Sequence, residues 1–196
     1  MIVIPPHVKA LIFDLDGTLA DTMALHYEAW HEAFAAVGAS CPQEFLERLS
    51  GVPTHGIVAL FNEAFSHALD VVSFTEDKER RAYERLLKTQ PIGPVVEVVR
   101  QHKGRLPMAI ATGGVRRNAE LILRAIGLEG EFDTVITADD AVRPKPSPDI
   151  FLEAARRLNV EPGQCLVFED ADAGLEAARR AGMAAIDVRP ILAAAL

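Results

Sequence analysis

Cysteine and positive charge are both scarce in this 196-residue sequence. The two cysteines, Cys41 and Cys165, lie too far apart to form a closely spaced thiolate metal site. We interpret both as buried or unreactive thiols in a reducing compartment. The chain has 20 lysines and arginines against 28 aspartates and glutamates, a net charge of -8. This balance argues against a broad nucleic-acid-binding surface.

Long apolar runs are also lacking. No run approaches the roughly 20 residues that a helix needs to span a bilayer. The segment Met1–Lys9 does not show the basic and then apolar pattern of a secretory signal. We therefore expect a cytoplasmic protein without a membrane partner. Its apolar fraction of 49% is sufficient for a globular core of one or two small domains.

Short apolar runs recur along the chain and alternate with helical patterns. Runs of this length are typical of parallel strands that are buried on both faces. The predicted strands cover Ala10–Phe13, Pro107–Ala111, Thr134–Ile136, Cys165–Phe168 and Ala184–Val188. The predicted helices between them cover Val95–His102, Asn118–Ile126, Ile150–Leu158 and Leu175–Ala181. The third of these helices is predicted to have Ser147 as its N-cap and Pro148 in its first turn. The alternation predicts an α/β fold with a Rossmann-like parallel sheet.

The stretch from residue 19 to residue 90 departs from this alternation. It contains helical patterns but no strand-like run, and Pro91 and Gly93 mark the return to the α/β pattern. The helical patterns cover Met23–Val37, Gln43–Leu49, Ile57–Phe65 and Lys78–Leu87. The sequence thus predicts a helical domain of residues 19–90 inserted into a core domain of residues 1–18 and 91–196.

Asp14 and Asp16 directly follow the first predicted strand. Ligands of open α/β sheets bind beyond the carboxyl ends of the strands, and residues two apart on an extended chain point to the same side. One carboxylate could stay ionised to attack or to bind a metal, while the other carries a proton as general acid and then base. Taken alone, the pair is equally compatible with two aspartates that cap a turn.

Thr112 follows the second predicted strand and precedes Gly113 and Gly114. A hydroxyl followed by two glycines exposes backbone N–H groups that could bind a phosphate oxygen. A simple strand-to-helix turn would explain the same pattern.

Two further segments offer a cation and metal ligands. Lys145 lies between two prolines that stiffen the chain, so it could act as a fixed positive charge on a phosphoryl group, although a solvated loop lysine is the simpler interpretation. Glu169 and Asp170 end the fourth predicted strand region and supply hard oxygen ligands suited to Mg²⁺. We interpret the nearby Asp172 as a helix N-cap.

In this order, the segments resemble the four signature motifs of the haloacid dehalogenase superfamily. The matching residues are Asp14-Leu15-Asp16-Gly17-Thr18, Thr112, Lys145 and Glu169-Asp170. The resemblance covers nearly the whole chain, and the helical insertion stands where the superfamily has a cap domain. Asp21-Thr22, His26, Trp30 and Leu49–Val52 resemble the β-phosphoglucomutase-like subgroup. The segments 168–174 and 181–183 resemble its bacterial fructose-1-phosphate phosphatase branch.

The resemblance implies a Mg²⁺-dependent phosphatase that acts on a small sugar phosphate through an aspartyl-phosphate. It implies that Asp14 is the nucleophile, that Asp16 is the general acid and base, and that Thr112 and Lys145 hold the phosphoryl oxygens. The implied Mg²⁺ ligands are Asp14, the main-chain carbonyl of Asp16 and Asp170, with Glu169 near or in the coordination shell. The implied substrate-binding residues are His26, Gly51, Val52, Thr54, Gly113 and Gly114.

One departure from the β-phosphoglucomutase pattern bears on the reaction. A β-phosphoglucomutase has an arginine, just after the Gly-Val pair, that binds the second phosphate of a bisphosphate, and Thr54 stands at that place here. Without this bidentate cation we expect net hydrolysis rather than phosphoryl transfer within the sugar. Lys78 could restore a charge, but we interpret it as an exposed helix lysine.

Three alternatives to the phosphatase stay open at this point. They are a sugar phosphomutase, a non-catalytic phosphate-binding protein, and a dehalogenase. The last is disfavoured because its chemistry needs no magnesium and leaves Glu169 and Asp170 without a purpose. We expect a monomer in each case.

Overall fold

The chain forms a parallel sheet covered by helices. A computed structural model describes residues 2–140 and 143–193, so residues 1, 141–142 and 194–196 of the predicted core range lie outside the described part. The strands are β1 (Ala10–Phe13), β2 (Ala20–Asp21), β3 (Gln90–Pro91), β4 (Met108–Ala111), β5 (Thr134–Ile136), β6 (Cys165–Glu169) and β7 (Ala184–Asp187). The helices are α1 (Met23–Ala36), α2 (Gln43–Arg48), α3 (Thr54–Phe65), α4 (Val71–Leu86), α5 (Gly93–His102), α6 (Arg116–Ala125), α7 (Asp149–Leu158), α8 (Asp172–Arg180) and α9 (Arg189–Ala193), with a 3₁₀ turn at Pro162–Gln164.

Five strands form the sheet in the order β5-β4-β1-β6-β7, with every pair parallel. Strand β1 lies in the middle, where Phe13 is opposite Ile110 of β4 and Phe168 of β6. The prediction of an α/β fold with a Rossmann-like sheet is confirmed, and each predicted strand boundary lies within one residue of the observed one. Because the three central strands are in register, their carboxyl ends reach the same edge of the sheet.

Both faces of the three central strands β4, β1 and β6 are buried, as the continuous apolar runs predicted, whereas the edge strands β5 and β7 are partly exposed. Alternate residues of β1 belong to opposite clusters: Leu11 and Phe13 pack with α5 and α6, whereas Ala10 and Ile12 pack with α7 and α8. Helices on both sides therefore fix the position of β1 and of the residues that follow it. None of the helices in the described ranges combines the length and apolar character that crossing a bilayer requires.

The N-cap predictions for α7 and α8 were wrong. Pro148, not Ser147, directly precedes α7, and the Ser147 hydroxyl donates to the Asp149 carboxylate at 2.8 Å instead of accepting a backbone N–H. Helix α8 begins at Asp172 itself, because the extended residue before the helix is Ala171. The Asp172 carboxylate instead lies in the first helical turn, where the helix dipole favours a negative charge.

The inserted helices α1–α4 have an apolar cluster of their own. It is built on aromatic rings, with the centroids of Phe34 and Phe61 4.4 Å apart and those of Phe34 and Phe74 4.8 Å apart. Helix α4 begins at Val71 rather than at Lys78, because the Asp70 side chain caps it by accepting the N–H of Ser73 at 2.8 Å.

The two chain crossings between the sheet and the inserted helices lie side by side. Strands β2 and β3, which the sequence pattern did not reveal, pair antiparallel as a two-residue ribbon, with Ala20 opposite Pro91. Ala29, Ala82 and Leu86 of α1 and α4 also pack into the apolar cluster on one face of the main sheet. The division into residues 19–90 and a two-part core stays a prediction.

Both cysteines are buried and unpaired, as predicted. Burial raises the pKa of the Cys41 and Cys165 thiols to about 11. The thiols are therefore protonated at neutral pH and are poor nucleophiles.

Candidate active site

Lys145 joins two of the strand-end acids. Its Nζ lies 2.6 Å from Asp14 Oδ1, directly after β1, and 2.7 Å from Glu169 Oε2, at the end of β6. The residue is only 2% exposed, which excludes the alternative of a solvated loop lysine. Burial lowers the pKa of Lys145, but the two carboxylates outweigh burial and raise that pKa above its usual value. The amine is therefore a fixed positive charge.

Three carboxylates surround this single amine. Oxygens of Asp14, Glu169 and Asp170 lie within 4.8 Å of one another. Burial and the neighbouring acids raise the pKa of Asp14 well above its usual value, although Lys145 partly offsets them. Burial and the charge of Glu169 raise the pKa of Asp170 to about 7. The cluster thus holds more negative charge than one lysine balances, and its hard oxygen donors fit Mg²⁺.

The loop after β1 packs closely against Asp170. Gly17 has a φ of +83°, and a Cβ on it would overlap with the Asp170 carboxylate. The hydroxyl of Thr18 donates to Asp170 Oδ1 at 3.0 Å. A glycine is needed at position 17 both for its backbone conformation and for this approach. The loop therefore fixes the orientation of the Asp170 side chain.

Glu169 is completely buried and bound through both oxygens. Its Oε1 accepts the backbone N–H groups of Asp170 at 3.2 Å and Ala171 at 3.0 Å, while Oε2 accepts the Lys145 amine. A Cβ on Gly174 would overlap with this carboxylate, so helix α8 also holds it in place. The geometry makes Glu169 the group that orients Lys145 toward Asp14.

Asp16 lies between the sheet and the inserted helices. Its Oδ1 accepts the Thr22 hydroxyl at 2.7 Å and lies 3.0 Å from His26 Nε2, while the Thr112 hydroxyl lies 3.4 Å from its Oδ2. Burial raises the pKa of Asp16, but the charge of His26 and the hydrogen bonds from His26 and Thr22 outweigh burial and lower it below its usual value. In this arrangement Asp16 is ionised, unlike a carboxylic acid that is ready to donate a proton.

The structure places all the predicted substrate-binding residues around one cavity. The cavity lies above Asp14, Asp16 and Asp170 and is covered by the inserted helices. The predicted residues that line it are His26, Gly51, Val52, Thr54, Gly113 and Gly114. A Cβ on Gly113 would lie 2.6 Å from the main-chain oxygen of Gly51, so the loop from the inserted helices rests directly on the loop after β4.

Lys78 also lines this cavity, so the expectation of an exposed helix lysine was wrong. It is 3% exposed, and its Nζ lies 3.2 Å from His26 Nδ1, 3.0 Å from Glu79 Oε1 and 5.1 Å from the centre of the Trp30 ring. The reason is the periodicity of α4. Residue 78 belongs to the buried face of that helix, whose members recur at every fourth position: Phe74, Lys78, Ala82 and Leu86.

Sequence reasoning missed Glu79 and Asn118. The Glu79 carboxylate accepts hydrogen bonds from the Thr54 hydroxyl and from the side-chain amide of Asn118, and all three residues line the cavity. Asn118 belongs to α6, which packs against α4. The buried-face spacing of α4 could have located Lys78 and its neighbour, whereas no pattern in the sequence marks Asn118.

Comparison with known proteins agrees with this architecture. Residues 8–182 match the model of the haloacid dehalogenase-like hydrolases. The chain is 42% identical over 179 residues to the fructose-1-phosphate phosphatase YqaB of Escherichia coli (strain K12), covering 91% of this chain and 95% of that protein. It is 33% identical over 180 residues to a phosphorylated carbohydrates phosphatase of Thermotoga maritima, covering 90% of this chain and 82% of the relative.

A solved structure shows the same fold. The crystal structure of β-phosphoglucomutase (pgmB) from Clostridium difficile superimposes with a TM-score of 0.81 and 28% identity, covering 91% of this chain and 83% of that one. The match to the family model extends over most of the sequence and includes all four motif segments. The chain therefore belongs to the haloacid dehalogenase-like hydrolase family.

Proposed function

We propose that this protein is a Mg²⁺-dependent phosphatase that hydrolyses the phosphate ester of a small sugar of the fructose 1-phosphate type. The observation that carries the proposal is the Lys145 amine bound between Asp14 and Glu169, with Asp170 beside them, at the floor of a covered cavity. The names of the two phosphatase relatives support the substrate class.

In the first step, an oxygen of Asp14 attacks phosphorus and the bond from phosphorus to the sugar oxygen breaks. Phosphoryl transfer depends mainly on in-line positioning and on neutralising charge. Lys145 holds Asp14 Oδ1 at 2.6 Å and leaves Oδ2 without a hydrogen-bond partner among the described residues, so Oδ2 is the attacking atom. Thr112 and the N–H groups of Gly113 and Gly114 orient the phosphoryl oxygens.

The sugar oxygen takes a proton from Asp16 as it leaves. Asp16 is ionised in the substrate-free site, and an entering phosphate dianion raises its pKa because like charges disfavour ionisation. The proton comes from solvent, and His26 Nε2, 3.0 Å away, orients the Asp16 carboxylate. In the second step Asp16 takes a proton from water, the water oxygen bonds to phosphorus, and the bond from phosphorus to Asp14 breaks to release inorganic phosphate.

Asp14, Asp170 and Glu169, with the main-chain carbonyl of Asp16, would hold the Mg²⁺ ion. When bound, the ion supplies positive charge that offsets the developing charge on the transferred phosphoryl group. Because Glu169 already binds Lys145 and two backbone N–H groups, its main role is to position the lysine.

Residues 19–90 act as a cap that opens and closes about the ribbon of β2 and β3. The contact between Gly51 and Gly113 is the closed position of this movement. Closure keeps bulk water out and brings Thr22 and His26 to Asp16, so the acid–base group is complete only under the closed cap.

Hydrolysis is favoured over the mutase reaction by the charges at the cap end of the cavity. Thr54 offers a hydroxyl where a mutase has an arginine. Lys78 lies in the cavity, but its charge is already paired with Glu79 at 3.0 Å. The cap therefore provides no free cation to retain a second phosphate while the sugar turns over.

The test is phosphate release from fructose 1-phosphate and from β-glucose 1-phosphate, each with Mg²⁺ and with a chelator. We expect Mg²⁺-dependent release of inorganic phosphate that Asp14→Asn abolishes. Asp172→Asn removes an exposed carboxylate two positions from Asp170 and should keep the activity. Full activity of Asp14→Asn would contradict the nucleophile, and glucose 6-phosphate as the main product of the second substrate would contradict the hydrolase.

A further inference from the structure

A polar cluster at the cap end of the cavity takes no part in the bond-making and bond-breaking steps proposed above. It consists of Glu79 with three residues bound to it: Thr54, Lys78 and Asn118. Three members come from the inserted helices and Asn118 comes from α6 of the core, so the cluster lines the cavity where the inserted helices meet the core.

Glu79 carries a negative charge in this cluster. Its side chain is 16% exposed, and burial raises its pKa, but the attraction of Lys78 and the hydrogen bond from Thr54 outweigh burial and lower the pKa below its usual value. The carboxylate is thus ionised at neutral pH, although it lies inside a cavity that is proposed to receive an anionic substrate.

The hydrogen bonds of Glu79 leave room for a ligand. Oε1 already accepts from Thr54 and from Lys78, whereas Oε2 accepts only from Asn118 among the described residues. A carboxylate oxygen accepts about two hydrogen bonds, so Oε2 can take one more from a hydroxyl group. A phosphate at the same place offers mainly acceptor oxygens and negative charge.

The charges of the cluster also give an anion no net attraction. Lys78 and Glu79 cancel, and Thr54 and Asn118 are neutral. A phosphate dianion placed here would lie against the Glu79 carboxylate, whose partner Lys78 is already engaged, and this unfavourable arrangement selects against that ligand.

We propose that Glu79 is a specificity residue that accepts a hydrogen bond from a distal sugar hydroxyl and rejects sugars with a second phosphate at that end. The inference deepens the proposed function and rests on it for the placement of the first phosphate at Asp14. It restricts the substrates to monophosphates of neutral polyhydroxy compounds.

The test compares hydrolysis of fructose 1-phosphate and fructose 1,6-bisphosphate by the wild type and by Glu79→Gln. Glutamine keeps the size of the side chain and removes its charge. We expect the bisphosphate-to-monophosphate ratio of kcat/KM to rise about 10- to 30-fold, as for two like charges about 8 Å apart at an effective dielectric constant of about 20. The readout is a ratio because a general weakening of cap closure lowers both rates together.

Glu76→Gln is the matched control, since it removes the same charge from an exposed position one turn earlier on α4. Its ratio should not change. An unchanged ratio in Glu79→Gln, or an equal rise in Glu76→Gln, would overturn the inference. If Glu79→Gln does not fold, Glu79→Ala serves for the same comparison and should shift the ratio in the same direction.

A binding measurement separates this inference from the proposed function. Asp14→Asn and the double variant Asp14→Asn/Glu79→Gln are titrated with both sugars in the presence of Mg²⁺ by calorimetry. Lack of turnover by the wild type would refute the proposed function alone. Compared with Asp14→Asn, the double variant should show a higher affinity for fructose 1,6-bisphosphate relative to its affinity for fructose 1-phosphate. An unchanged affinity ratio, or no binding of the sugars by either protein, overturns the role of Glu79.

Discussion

Without a bound metal ion, the stability of this protein should depend on pH in an unusual direction. The pKa of Asp170 rises from its ordinary value of 3.8 to about 7 in the folded protein, chiefly through burial and through the charge of Glu169. Most stabilising carboxylates have the opposite shift. Here the folded state binds the proton more tightly than the unfolded state does, so stability is highest below about pH 4 for this group and falls as pH rises toward about 7.

The size of the effect follows from the shift. Each pKa unit corresponds to about 1.4 kcal/mol, so Asp170 alone accounts for up to about 4 kcal/mol between pH 4 and pH 7. Asp14 adds to the loss in the same direction, because its pKa is also raised. For a chain of this length, about 4 kcal/mol corresponds to a fall in melting temperature of about 8 to 16 °C.

The assay is thermal unfolding at several pH values from 5 to 8, with a chelator and with saturating Mg²⁺. The metal-free protein should lose stability as pH rises, whereas Mg²⁺ should remove most of this loss because the cation neutralises the ionised carboxylates. Asp170→Asn should flatten the curve without metal. Metal-free stability that is constant or increases from pH 5 to pH 8 would refute the argument.

Two further substitutions test the cluster of Asp14, Glu169 and Asp170 around Lys145. Lys145→Met leaves two buried carboxylates without their cation and should cost about 3–5 kcal/mol of unfolding free energy at pH 8. The cost should be smaller at pH 5, because the acids can take protons there. Lys103→Met, at an exposed site, is the control. An equal cost at both pH values would contradict the charge argument. Gly17→Ala should raise the Mg²⁺ concentration needed for half-maximal activity, because the new methyl group displaces Asp170. Gly38→Ala is the control, since Gly38 has a similar positive φ but no neighbour within 4 Å. This variant should lose only about 1 kcal/mol of stability. Unaltered Mg²⁺ activation in Gly17→Ala would show that Asp170 needs no such support.

The sheet could be predicted from the sequence because its central strands are buried on both faces. Burial on both sides requires an unbroken apolar run, which stands out in Ala10–Phe13 and Cys165–Phe168. The ribbon of β2 and β3 has two residues in each strand, too few for any periodic pattern. The start of α4 was missed because its first turns carry the β-branched residues Val71, Val72 and Thr75, which have low helix propensity, so that the Asp70 cap is the main sign of the beginning.

The floor of the site was predictable for a related reason. Parallel strands in register bring the residues after them together, so Asp14, Thr112 and Glu169 had to meet at one edge of the sheet once the strands were assigned. The burial of Lys145 could not be read from its own segment. It depends on Asp14 and Glu169, which compensate its charge from distant parts of the chain.

The cap end of the cavity depends instead on helix register. Lys78 and Glu79 reach the cavity because of their positions around the axis of α4, and Glu79 meets Asn118 because α4 packs on α6. The groups proposed for chemistry thus lie on strand ends, whereas the groups proposed for selection lie on helices. A shift of one position along a helix changes the direction of a side chain by about 100°. Substitutions on the inner face of α4 should therefore alter which sugar is accepted while the Asp14 and Lys145 pair keeps its geometry, and this separation explains why the reaction class is easier to derive from the sequence than the substrate.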